Sequence, residues 1–323
     1  MSTVKNILIT GALGHIGSGF IHRLQPQDFH EVVLLDNLST QRFCSLFNLP
    51  DGVRFHFIEG DILSADLGRL LPETDAVVHL AAITDAASSF EHKDRVEKVN
   101  LEGTQRVGQA CAERGCPMVF ISTTSVYGTQ ESVVDENCSL EELKPQSPYA
   151  ESKLQGEEFL KCLGRTRGLK FIICRFGTIF GVSVGMRFHT AVNKFCWQAA
   201  LGLPLTVWRT AMDQKRPYLD LGDAVEALRF ILQRGLFDGR VYNVVTTNAS
   251  VHEVVDAVRL CIPELSVNHV DSAIMNQLSY HVSSERFARA GFQFQGNLQQ
   301  GIAETIRLLK GVAGNRACGN PGQ

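Results

Sequence analysis

Tyr149 and Lys153 stand four residues apart in Tyr149-Ala150-Glu151-Ser152-Lys153, a spacing that puts both side chains on one face of a helix. Ser147-Pro148 just before them reads as a helix start. In water a phenol titrates near ~10 and a lysine ammonium near ~10.4. A tyrosinate that works as a base at neutral pH needs its pKa lowered by about three units, roughly 4 kcal/mol. One positive charge ~4 Å away, in surroundings of effective dielectric ~20, supplies about that much. The pair is therefore a candidate general acid-base, although a surface helix would also show it by chance. Upstream, Ile121-Ser122-Thr123-Thr124-Ser125-Val126-Tyr127-Gly128 ends a β-branched run in consecutive hydroxyls. Any of Ser122, Thr123 or Thr124 could hydrogen-bond a reacting oxygen there, or merely cap a turn.

A second constellation supplies the context. Thr10-Gly11-Ala12-Leu13-Gly14-His15-Ile16-Gly17 follows an apolar run and opens a helical pattern. Glycines at such a junction let the chain turn sharply and let the backbone approach a pyrophosphate, which the helix N-terminus then attracts. Asp36, 25 residues after Gly11 at the end of the next apolar run, can accept both ribose hydroxyls of an adenosine and repels a 2′-phosphate. The cofactor expected is NAD rather than NADP. Asn37 beside it joins the candidate set, and Arg42 is the one nearby residue that would suit a phosphate.

These residues need a scaffold that brings strand ends together. Val4 to Thr10, Glu31 to Asp36, Val53 to Glu59, Ala76 to Leu80, Met118 to Ser122 and Leu169 to Phe176 read as buried strands. Ile16 to Leu24, Asn100 to Arg114 and Tyr149 to Gly168 read as the clearest helices between them. The alternation predicts an α/β fold with a doubly wound, Rossmann-type parallel sheet. After Phe176 the rhythm changes. A helix is expected from Met186 to Leu201, strands around Leu205 to Trp208, Arg216 to Leu221 and Val241 to Val245, and helices at Asp223 to Gln233, Val251 to Cys261, Ser283 to Ala290 and Leu298 to Lys310. The organisation expected is a nucleotide-binding domain from 1–176 and 218–245, a smaller C-terminal substrate-binding lobe from 177–217 and 246–312, and a flexible tail over 313–323. The strand at Val241 should return to the main sheet.

The spacing G-x-x-G-x-x-G, the Y-x-x-x-K pair and Lys215-Arg216-Pro217-Tyr218-Leu219-Asp220-Leu221-Gly222-Asp223 together resemble the extended short-chain dehydrogenase/reductases, the NAD-dependent sugar-nucleotide epimerase/dehydratase family, over about residues 4 to 310. The resemblance implies catalysis by Thr123, Tyr149 and Lys153. It places Asp61 and Ile62 by the adenine, Leu80, Ala81 and Ala82 along the cofactor groove, and Asn100 at a structural asparagine that may equally be a helix N-cap. His15 in the glycine loop either faces the cofactor phosphates or is exposed to solvent. On the substrate side it implies Arg216 as the grip on a diphosphate, Asn193 near the diphosphate or sugar, and Thr84, Thr124 and Thr178 as further contacts. Thr178 stands where relatives often carry Asn, so the contacts there differ. A homodimer through the Asn100 and Tyr149 helices is also implied.

By the same resemblance, dehydratases of the family carry acidic residues directly after the catalytic Thr, and decarboxylases carry a Glu two residues after it. Here Thr124 and Ser125 stand there, and neither is an acid or base near pH 7. What remains is oxidation and re-reduction of a sugar carbon. The expected activity is an NAD-dependent 4-epimerase of a nucleotide-activated sugar. The alternatives are a sugar-nucleotide reductase or dehydrogenase, an oxidoreductase of a nucleotide-free ketone, or a cofactor-binding protein without activity.

Composition sets the outer limits. The 323 residues are 44% hydrophobic and 20% charged, with a net charge of -3, enough to bury a core without staples. No long basic run suggests nucleic acid, and no apolar stretch is long enough to span a membrane. Nine cysteines without a C-x-x-C pair read as reduced thiols of a cytoplasmic enzyme. No His, Cys or Asp cluster has metal-ligand spacing.

Overall fold

A computed structural model describes residues 4–86, 88–130, 133–271 and 280–312; the tail expected over 313–323 lies outside them. The β-branched runs form one sheet of β1 (Asn6–Thr10), β2 (Glu31–Asp36), β3 (Arg54–Glu59), β4 (Ala76–His79), β5 (Met118–Thr123), β6 (Phe171–Phe176) and β7 (Val241–Val244). Its order is β7-β6-β5-β4-β1-β2-β3, parallel throughout. The chain winds outward from β1 in one direction and from β4 in the other. The crevice between the carboxyl ends of β1 and β4 is where such sheets hold a ligand.

Alternation along each strand feeds two apolar layers. Ile7, Ile9, Val119 and Ile121 point to one face, under α1 (His15–Ile21) and the helix Leu221–Arg234. Leu8, Met118 and Phe120 point to the other, under the helices Gly103–Arg114 and Pro148–Arg167. Phe120 is fully buried, and an aromatic of that size contributes roughly 2–3 kcal/mol by leaving water. The Pro148–Arg167 helix starts as its sequence predicts. Ser147 Oγ accepts from Ala150 N at 3.2 Å, and left-handed Gly168 ends the helix.

Two expected helix starts move. Asn100 is no N-cap: the helical path begins at Lys93, and Asn100 sits in a π-turn over Lys98–Glu102 before the α-helix Gly103–Arg114. The helix expected from Met186 begins at Ala191. Residues 181–187 are drawn elsewhere by polar contacts to Ser18 and Asn193. The second layer of structure holds a three-stranded sheet of Thr178–Phe180, Lys215–Asp220 and Thr247–Ser250, with Leu205–Trp208 paired to Val267–Val270. Its core joins Phe180, Val192, Tyr218, Val254, Ile302 and Ile306. Phe287 and Phe292, in contrast, pack with the main sheet's apolar layer.

Candidate active site

The glycine loop sits over the β1 and β4 ends. Gly11 has φ 65°, and a Cβ there would lie 2.6 Å from the Ala81 backbone, so the loop and the Leu80-Ala81-Ala82 strand end close on each other. At Gly17 a Cβ would lie 2.4 Å from Ala12 O. Gly14 differs: a Cβ there would meet only Gly11 O, at 3.3 Å. The protein's own packing thus demands the outer two glycines, whereas the middle one keeps clear a space the protein does not fill. Asp36 holds this loop, its Oδ2 accepting from Leu13 N at 3.0 Å and its Oδ1 from Leu38 N at 2.9 Å. Each oxygen keeps a lone pair for a further donor. Asn37 Nδ2 donates to Asp61 Oδ2 at 2.8 Å, and Ile62 is buried beside them. These features fit a dinucleotide: a backbone cradle, an acceptor pair at the ribose position and apolar walls.

His15 is half-buried rather than exposed. Its Nε2 lies 2.9 Å from Gly181 O, and burial holds its pKa down to about 4. Ser183 Oγ donates to His15 O at 2.9 Å and Gly185 N to Ser18 Oγ at 3.0 Å. The segment 181–185 is thereby stitched to α1.

Tyr149 and Lys153 share one face of their helix as the spacing requires. The Tyr149 hydroxyl faces Thr123, whose hydroxyl favours its anion, and Thr123 Oγ1 accepts from Ser125 N at 3.1 Å. That choice among the three hydroxyls is clear from their partners: Ser122 Oγ donates to Glu157 at 2.5 Å and Thr124 Oγ1 to Phe176 O at 3.3 Å. Burial pushes Tyr149 up to about 12, against the lowering effects of Thr123 and Arg187. Burial pulls Lys153 down to about 7, against Glu157. The Lys153 ammonium lies 4.9 Å from the Phe120 ring centroid. Desolvation favours the neutral form of both groups and outweighs what Thr123 and Arg187 do for Tyr149 and what Glu157 does for Lys153.

Asn100 joins this centre from below, with Nδ2 donating to Ile83 O at 3.0 Å and Ser152 Oγ at 3.1 Å while Oδ1 accepts from Ile83 N at 2.8 Å. Asn193 is buried, its Oδ1 accepting from Gly181 N at 3.3 Å and its Nδ2 donating to Arg187 O at 2.9 Å. Both give the structure backbone to hold. Thr178 lies opposite Tyr218 in the small sheet, and Arg216 opposite Ala249 with its Nη2 3.5 Å from Gln214 Oε1.

Two residues that the sequence did not single out reach the centre. Arg187 crosses from the 181–190 loop, donates from Nη1 to Thr84 Oγ1 at 2.5 Å, and places its charge near Tyr149, Asp85 and Asp36. Burial lowers its pKa, as it does that of Arg42, which Arg187 also repels. Arg42 Nη1 is buried without a hydrogen-bond partner. Tyr280 is buried facing Thr124 and Ser125, and burial pushes its pKa up against their effect. A cleft of about 510 Å³ next to Arg187 is lined by Asp85, Phe188, His189, Lys194, Trp197, Gln198 and Leu203. Among the described residues, no group of three His, Cys, Asp or Glu could hold a metal ion, and no helix is long and apolar enough to cross a membrane.

Comparison with known proteins agrees with this arrangement. The family model for the NAD dependent epimerase/dehydratase family matches residues 7–244. A trifunctional UDP-glucose 4,6-dehydratase/UDP-4-keto-6-deoxy-D-glucose 3,5-epimerase/UDP-4-keto-L-rhamnose-reductase of Arabidopsis thaliana is 33% identical over 94% of this chain, which spans 46% of that protein's length. An uncharacterized UDP-glucose epimerase of Bacillus subtilis is 33% identical over 78% of this chain and 80% of its own. The crystal structure of UDP-glucuronic acid 4-epimerase from Bacillus cereus with UDP-glucuronic acid and NAD superposes with a TM-score of 0.86 at 25% identity, covering 95% of this chain and 99% of that one.

Proposed function

The chain belongs to the NAD dependent epimerase/dehydratase family, and on that premise we propose that it is a 4-epimerase of a nucleotide-activated sugar acting through a transient 4-keto sugar. The observation that carries this reading is the Tyr149 hydroxyl facing Thr123, with the non-acidic Thr124 and Ser125 in the next two positions. NAD, when bound, supplies the acceptor and donor of a hydride. The loop of Gly11, Gly14, Ile16 and Gly17 would hold its phosphates, Asp36 and Asn37 its adenosine ribose, Asp61 and Ile62 its adenine. Leu80, Ala81 and Ala82 would wall the groove.

Tyr149 takes the proton of the sugar C4 hydroxyl as the C4 hydrogen leaves with its electron pair, which makes a ketone. Once the keto sugar has turned over, Tyr149 returns the proton to the same oxygen as hydrogen is restored to the opposite face. No net redox change results. Thr123 bridges the sugar oxygen and Tyr149. Tyr149 becomes a base only when further positive charge arrives beside it, because the ligand-free site keeps it protonated. Elimination of water would need an acid that Thr124 and Ser125 do not provide. Arg216, Arg187 and the 510 Å³ cleft beside it offer cations and room for a diphosphate and its base. The helices Gly103–Arg114 and Pro148–Arg167, side by side on one face of the sheet, are the surface we assign to a homodimer.

Incubation with UDP-, dTDP-, GDP- and CDP-sugars, UDP-glucuronic acid included, tests the reading when products are followed by NMR and reduced nicotinamide by absorbance. A C4 epimer with no net absorbance change is the expected result. Stoichiometric change in absorbance would make the protein a reductase or dehydrogenase, and a 4-keto-6-deoxy product would make it a dehydratase.

A further inference from the structure

Beneath Lys153 lies a charge pair that touches no reacting group. Glu157 is one helical turn beyond Lys153 and fully buried. Its Oε1 accepts from Arg175 Nε at 2.9 Å and from Ser122 Oγ at 2.5 Å, and its Oε2 accepts from Arg175 Nη2 at 2.7 Å. Arg175 is buried on β6, its guanidinium 4.9 Å from the Tyr127 ring centroid. Burial opposes its charge, and Glu157 more than offsets this, so that its pKa is raised. A pair taken so completely out of water is a weak source of stability, since desolvation cancels much of the attraction.

Its position suggests another use. Ser122, which it holds, immediately precedes Thr123, the partner of Tyr149. Lys153 precedes it by four residues on the same helix face. Three elements, the Tyr149 helix, β5 and β6, are thus tied at one carboxylate. We propose that Glu157 is a positioning residue for the reaction: paired with Arg175, it anchors the strand that presents Thr123 to the helix that carries Tyr149, and it sets a negative charge one helical turn from Lys153. The proposal rests on Tyr149 and Lys153 being the reacting pair.

The groups that face Lys153 bear this out. On its own helix are Tyr149 and Glu157. From β4 comes His79, between Thr10 Oγ1 at 2.7 Å and Thr104 Oγ1 at 3.2 Å, which burial holds neutral with a pKa of about 3. From β5 comes the Phe120 ring, and Arg175 on β6 reaches Glu157. Lys161, 4.0 Å from Glu157 Oε2, is a second, half-buried cation on the far side. Glu157 is the group whose charge works against the burial of Lys153.

The test is a direct titration of Lys153 in the NAD-bound protein carrying 13Cε-lysine, with its resonance assigned by its loss in Lys153→Met. Glu157→Gln should move the titration down by about one pH unit, and Arg175→Met should move it up, because Glu157 then acts unopposed. A single variant may fail to fold, as each leaves one buried charge unpaired. The double variant Glu157→Gln/Arg175→Met leaves none, and there the titration should also fall. The acid limb of the turnover profile should follow these shifts. A scaffold role alone would lower stability without displacing the titration in opposite directions. An unchanged Lys153 titration in the double variant, or in whichever single variants fold, overturns the proposal. Because that signal needs no substrate, it is independent of whether the protein proves to be an epimerase.

Discussion

The two ends of the cleft are built on opposite terms. At the cofactor end the polar groups already have partners within the chain. Asp36 grips the Leu13 and Leu38 amides, Asn37 reaches Asp61, and His15 is tied to Gly181. At the reacting end the charges are out of balance. Lys153 is pulled toward its neutral form, Tyr149 is pushed away from its anion, and the Arg187 cation beside Tyr149 is itself weakened by burial. One end is a mould that keeps its shape unaided. The other is held in a state that bound charge must relieve. Changes at the mould should therefore cost binding and stability, and changes at the reacting end should cost turnover while leaving the fold intact.

The largest effect that separates them is expected from Tyr149→Phe. Turnover should fall by on the order of 10³ or more, with NAD affinity and melting temperature near those of the parent. Near-normal turnover would erase the distinction. Next comes Gly11→Val. With a Cβ only 2.6 Å from the Ala81 backbone at φ 65°, it should lose about 3 kcal/mol or more of stability, read by urea unfolding, along with NAD binding. Asp36→Asn should weaken NAD by roughly tenfold, about 1.4 kcal/mol, and reduce the preference over NADP, measured by titration calorimetry with both.

The remaining effect concerns pH and is read as a slope. Lys153 titrates near about 7 folded and near ~10.4 unfolded. Between those values the unfolded chain binds the extra proton, so stability should rise with pH by up to about 1.4 kcal/mol per unit, and level off below the folded value. Lys153→Met should flatten that rise between pH 7 and 9 in urea unfolding. An unaltered slope would mean that burial does not act on Lys153 as described.

The sequence was most legible where one segment decides its own structure. Buried runs such as Glu31–Asp36 and the Ser147-Pro148 helix start act locally, and the strands they predict differ from those observed by a residue or two at their ends. Thr123 emerged from a triplet of hydroxyls because its neighbours have other partners, a fact no spacing contains. Arg187 was hidden in an expected helix. It becomes a cleft residue only because the 181–185 segment is pinned to α1, which delays the helix to Ala191. Tyr280 and Glu157 act across elements far apart in the chain, and periodicity tells which face a side chain takes without telling what it meets there. The acidity expected of Tyr149 counts on Lys153 and an oxidised nicotinamide together; burial of the phenol opposes it, which no spacing contains.

The stitching of residues 181–185 onto the first helix has a consequence for motion. A hinge cannot lie along that seam without breaking the bonds from Gly181, Ser183 and Gly185 together. The glycine loop and the segment after Thr178–Phe180 are consequently constrained to move as one piece. On the opposite flank a single side chain, that of Arg187, spans to Thr84.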